Sequence, residues 1–132
     1  MAPTNTTVGP RPEEIIDSLT TLVSKAEGEL VLVTCVDQEG YVGDTEAYAS
    51  TDQPKSSLPL ELLFSLPQSQ EIDAVMVTSR AASPLEGIAD SDIVFTKALI
   101  DAARAQGIEV LDHVLVLDGE YKRLRAVTEL WN

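Results

Sequence analysis

The chain has 132 residues, 44% of them hydrophobic, and a formal net charge of −13 from 22 acidic and 9 basic side chains. That length suits one domain with one core, and no apolar run nears the roughly 18 residues a membrane span needs. So acidic a surface repels phosphate backbones, which argues against direct nucleic-acid binding.

Met1 to Pro10 is polar and rich in Pro and Thr, without the basic start and apolar stretch of a signal peptide. Residues 1–11 therefore read as a disordered tail, 12–132 as a single domain, and the cytoplasm as the default location. The charge reads first as solubility; a salt-adapted host is the other reading, because only four lysines are present. The single cysteine, Cys35, allows no internal disulfide and reads as a small core residue.

Pro12 to Ala26 carries Ile15, Ile16, Leu19, Leu22, Val23 and Ala26 at helical spacing. Pro12 suits the first turn, Glu13 and Glu14 suit the positive end of the dipole, and Gly28 stops the helix. Glu29 to Val36 is apolar at nearly every position, so it predicts a strand covered on both faces. Asp37-Gln38-Glu39-Gly40 predicts a turn and Tyr41 to Ala49 an antiparallel return strand. Ser50 to Ser57 is polar loop. Pro59 to Leu66 predicts a short helix that Pro67 ends.

A strand–helix–strand unit follows. Ala74 to Thr78 is an apolar strand, Ser79 to Ala89 a loop broken by Pro84 and Gly87, and Asp90 to Gln106 a helix closed by Gly107. Ile108 to Leu117 is a second apolar run. Such a unit pairs its strands in parallel by a right-handed crossover, and sites favour the loops at the strands' carboxyl ends. Asp118-Gly119 predicts a two-residue hairpin turn, and Tyr121 to Trp131 a last strand. The sum is a three-layer α/β domain, a mixed β-sheet of about five strands flanked by helices.

The stretch Val110-Leu111-Asp112-His113-Val114-Leu115-Val116, followed by Gly119-Glu120-Tyr121, resembles the signature end of RadC-like proteins of the JAB/MPN (JAMM) fold, which is cytidine-deaminase-like. The family's centre is H-x-H-P-S-G, a spacer, S-x-x-D, then a Thr on the helix. Laid on this chain without a gap, its Asp falls on Asp92, its Thr on Thr96 and the Ser of P-S-G on Ser83. A family Glu eight residues before a strand-ending Asp falls on Glu29 and Asp37. Pro59-Leu60-Glu61 matches a further motif one position out of register. The resemblance covers roughly Glu29 to Leu124.

In zinc-binding members the two His and the Asp are ligands, the Glu is general base and a Ser supports the site. Here the resemblance puts Ser79 and Ala81 at the histidine positions and Ala89 at the serine position, leaving Asp92 and Glu29. Catalytic zinc needs three protein ligands and an open position. The expectation is therefore no metal and no other cofactor, no catalytic residue, and a vestigial set of Glu29, Ser83 and Asp92.

Each residue also has a structural reading. Asp92 can cap the central helix through the dipole. Glu29 can be a strand-edge acid, and Ser79 and Ser83 loop residues, since no base stands beside them in sequence. Asp112 and His113 point to opposite faces of one strand and cannot form a dyad with each other. Arg80 can be a surface residue or a positive charge near Glu29 and Asp92. Trp131 can be an interface anchor or a cover for the core.

The resemblance implies an inactive JAB/MPN domain that binds a protein partner or forms a homodimer, by analogy with metal-less scaffold members of the wider fold. A hydrolase with a rebuilt site, metal-dependent or not, is the alternative, and a DNA-repair accessory a second. The match further implies that Ser79→His, Ala81→His and Ala89→Ser together would create a zinc site.

Overall fold

The computed structural model describes residues 10–50 and 53–131. Five strands form one mixed sheet in the order β2-β1-β3-β4-β5. They are β1 (Glu29–Val36), β2 (Val42–Ser50), β3 (Ala74–Arg80), β4 (Glu109–Leu117) and β5 (Glu120–Arg123). β1 runs antiparallel to both β2 and β3. β3 and β4 are parallel, as the strand–helix–strand pattern predicts, and β5 returns antiparallel on β4.

Helix α1 (Pro12–Lys25) covers one face, burying Ile16, Leu19 and Val23 against Leu32, Met76, Val114 and Val116. Helix α3 (Asp90–Ala105) covers the other, with Phe95, Leu99, Ile100 and Ala103 on Val31, Val33, Val75 and Val77. Strand alternation sends odd and even positions of β1 and β3 to these two layers, which is why both strands read as continuous apolar runs. Each fully buried Val, Leu or Phe is worth about 1.5–3 kcal/mol. Cys35 is buried in β1, and that burial, then Asp44, raises its thiol pKa.

β4 contains an irregularity that positions the site. Val75 stands opposite Val110, but Met76 stands opposite Asp112, so Leu111 is one residue too many. This bulge reverses the side-chain parity. Val110 and His113 consequently both face α3, although they are three residues apart.

Several expectations need correction. Of the expected tail, residues 1–9 lie outside the described residues; Pro10 and Arg11 are ordered. The Pro10 carbonyl accepts the Val42 N–H at 2.7 Å, and the Glu14 carboxylate accepts the Arg11 N–H at 2.6 Å. Arg11 also reaches the Glu39 carbonyl at 2.6 Å across Gly40, whose φ of 87° favours glycine. Pro67 does not end a helix. A 3₁₀ turn, Leu60–Phe64, leads into α2 (Ser65–Ser69), and Pro67 sits in its first turn, where no N–H is needed. The last strand is only four residues long, because the chain turns into α4 (Leu124–Val127). Asp118 and Gly119 form the expected hairpin turn, with φ of 51° and 84°. Among the described residues no helix is long and apolar enough to cross a membrane.

Candidate functional site

β3 extends two residues past its expected end, so Ser79 is a strand residue, not a loop residue. It therefore points with Val75 and Val77 toward α3, at the carboxyl end of the parallel pair. Beside it stands a residue to which the sequence assigned only polar loop. The Lys55 ammonium, only 5% exposed, lies 2.5 Å from Asp92 Oδ1 and donates to Ser79 Oγ at 3.0 Å and to the Arg80 carbonyl at 2.5 Å. Asp92 is fully buried, and its other oxygen accepts the Ala82 N–H at 2.8 Å.

A chain of short hydrogen bonds runs on from Ser79. Its hydroxyl lies 2.7 Å from His113 Nε2, and His113 Nδ1 lies 2.7 Å from Thr96 Oγ1. The directions follow from the donor inventory. The ammonium can only donate, so Ser79 accepts from it. Thr96 gives its one hydrogen to the Asp92 carbonyl at 2.7 Å, so it must accept from His113 Nδ1–H. Nε2 is then the acceptor of the Ser79 hydroxyl, and the imidazole is neutral. Complete burial, and next the charge on Lys55, push its pKa well below the ordinary imidazole value. Burial also lowers the Lys55 pKa, while Asp92, then Glu29, oppose the shift.

Phe95 closes the site from α3. Its ring meets His113 edge-on at 5.8 Å and lies 5.4 Å from the Lys55 ammonium. A recess of about 70 Å³ leads in between Glu29, Ser56, Ala82 and Phe95. Glu29 receives the backbone N–H of Lys55 at 3.4 Å.

The other expected residues sort as follows. Asp92 lies in the first turn of α3, but it binds Lys55 and Ala82 and does not cap the helix; the N-cap is Ala89, which offers no side-chain bond. Ser83 holds its own loop, donating to the Gly87 carbonyl at 2.8 Å. Ala81 packs beside Leu115 and Leu124. Arg80 points to the opposite face and donates to the Val23 and Ala26 carbonyls at 2.9 and 2.5 Å, closing the carboxyl end of α1. Asp112 and His113 do diverge: the Asp112 carboxylate takes Arg123 Nε at 2.8 Å and the Arg125 N–H at 3.0 Å. The indole N–H of Trp131 donates to the Val110 carbonyl at 2.6 Å, and the ring packs on the core.

The expectation that Ser79 has no base near it is overturned by His113. Yet both side chains have zero exposure, and Lys55 lies over the serine. A nucleophile must reach its substrate, and in this structure the pair lies inside a buried polar network.

The sequence model of the RadC-like JAB domain family matches residues 10–128. The chain belongs to that family. A UPF0758 protein of Trichormus variabilis (strain ATCC 29413 / PCC 7937) is 44% identical over 41 residues, which is 31% of this chain and 17% of that relative's length. The RadC-like JAB fold thus accounts for the mixed sheet, with the Lys55–Asp92 pair at the carboxyl end of its parallel strands.

Lys55 and Thr96 are the site residues for which sequence reasoning gave no chemical role. Thr96 carried a signal, the family threonine on the helix. Lys55 carried none, since a lysine among serines and prolines looks like any surface loop.

Proposed function

We propose that this RadC-like JAB domain is non-catalytic, has given up the family's metal, and works by binding a protein partner or a second copy of itself. The observation that carries this reading is the Lys55 ammonium, 2.5 Å from Asp92 Oδ1 and 3.0 Å from Ser79 Oγ. In this reading Ser79 and Ala81 stand at the two histidine positions, Ala89 at the serine position and Asp92 at the position of the third ligand. The donor set does not fit zinc. Zinc wants three nitrogen, sulfur or oxygen ligands and a free position, and here one carboxylate remains, already neutralised by a buried cation. Glu29, at the general-base position, is turned to the Lys55 N–H. The cytoplasm remains our expected location, and fractionation of the host checks it.

The Ser79–His113 contact is the one observation that leans toward a rebuilt hydrolase, and its burial weighs against that. The net charge of −13 weighs against a DNA-contacting accessory.

The structure also sharpens the expectation for an engineered zinc site. With Ser79→His, Ala81→His and Ala89→Ser alone, the ammonium still claims Asp92, and a histidine at 81 must find room beside Leu115 and Leu124. Adding Lys55→Ala frees the carboxylate. Calorimetry should show no zinc uptake by the wild-type protein, little by the triple variant, and binding by the quadruple variant. Tight zinc binding by the wild type would overturn the metal-free reading. A strictly monomeric mass at high concentration, with no partner captured from the host, would overturn the binding role.

A further inference from the structure

We propose that Asp92, Ser79 and the Arg80 carbonyl form a cation receptor whose resident is the chain's own Lys55 ammonium, so that the fold requires a cation there and a free alkylammonium can supply it. The inference rests on the metal-free reading of the site and adds what has taken the ion's place.

An ammonium carries three N–H donors, and three oxygens lie within 3.0 Å of this one: Asp92 Oδ1 at 2.5 Å, the Arg80 carbonyl at 2.5 Å and Ser79 Oγ at 3.0 Å. They come from two different elements, β3 and α3, while the cation arrives from the 53–57 segment. One charge therefore ties three parts of the chain together, as a bound ion does. The Phe95 ring adds a further surface that favours a cation, at 5.4 Å.

Burial makes the requirement strict. Lys55 is 5% exposed and Asp92 0%, so neither can fall back on water. A buried charge left without its partner is strongly destabilising, whereas losing both charges together can be nearly neutral. The ammonium also sets the polarity of the network behind it. Because Ser79 accepts from Lys55, its hydrogen is directed to His113 Nε2. Without a cation, the serine loses the donor that orients it.

The recess of about 70 Å³ beside Glu29, Lys55 and Asp92 offers small molecules a way in. Truncating the lysine would enlarge it into a pocket ending on three oxygens. The ligand class it would take is a small primary ammonium.

The test uses the full chain and thermal melts. Lys55→Met keeps the stem but not the charge, and should lower Tm by roughly 10–20 °C. Adding Asp92→Asn to Lys55→Met should recover most of that loss. Lys55→Ala should be similarly weak alone, and methylammonium chloride should raise its Tm saturably, as any ligand bound only by the folded state does. Tetramethylammonium chloride at the same ionic strength should not, since it has no N–H to donate. If Lys55→Ala does not fold unaided, the fraction refolded against methylammonium is the readout. Lys55→Met within about 2 °C of wild type on the same scale, or equal responses of Lys55→Ala to the two salts, overturns the receptor. If the wild type also takes up no zinc, that failure leaves the proposed function standing. Zinc uptake by the wild type overturns both.

Discussion

His113 has its two ring nitrogens committed in opposite senses, one accepting from Ser79 and one donating to Thr96. A second proton would set two donors against each other in a site without water access. Burial first, and then the Lys55 charge, hold its folded pKa well below the unfolded value of about 6.5. Between that depressed value and about 6.5 the unfolded chain binds more protons, so stability rises with pH. The contribution is complete above about pH 6.5 and is lost as pH falls toward the folded value. Urea titrations from pH 7 downward should show that loss, and His113→Gln should flatten the slope; an unchanged slope in the variant would assign it to other groups. This network was half legible in the sequence. Asp92 and Thr96 were placed by the family resemblance, and Asp112 and His113 correctly diverge. The Ser79–His113 contact could not be read, because it depends on a bulge that alternating positions do not announce. Lys55 could not be read because its burial is a tertiary fact.

At the scale of elements, α3 begins without a cap. Ala89 has the extended backbone of an N-cap, φ −65° and ψ 145°, and its carbonyl accepts the Asp92 and Ile93 N–H groups, but its methyl can accept nothing. A serine there would satisfy one free N–H. Ala89→Ser is therefore expected to stabilise the fold by about 1 kcal/mol, read as a higher urea midpoint at constant m-value. No gain would mean that the first turn is already satisfied. The elements themselves were the most legible part of the chain. α1, β1, β3, α3 and β4 follow from apolar spacing, with ends within a few residues. The misses have local causes. Pro67 reads as a stop, yet proline is accepted in a first turn. Tyr121 to Trp131 reads as a strand, yet only Glu120–Arg123 finds a partner on β4 before Leu124 turns inward.

Across the whole molecule, 22 acidic groups against 9 basic ones leave a net charge of −13 on a small body. Part of the positive charge is spent internally, on Asp92 by Lys55 and on the end of α1 by Arg80. The remaining surface repels itself, and salt screens that repulsion over about 10 Å at 0.1 M. Tm should therefore climb as sodium chloride is added from low ionic strength; a flat or falling curve would show that attractive surface pairs dominate. The mixed sheet and its parallel pair were legible at this scale from the order of apolar runs. The two-sided burial of β1 was legible from its unbroken apolar run, and α1 and α3 cover its two faces.

The bulge in β4 has a consequence for how this chain tolerates change in length. Leu111 is the surplus residue between Val110, opposite Val75, and Asp112, opposite Met76. A chain lacking it would run Val110 straight into Asp112 with every later pairing preserved, and His113 would still face Ser79. The same deletion two positions further on would remove His113 itself, and with it the link between Ser79 and Thr96. β4 thus carries an insertion that the fold has already absorbed, at one point only, and the frame of its remaining residues is what holds the polar network together.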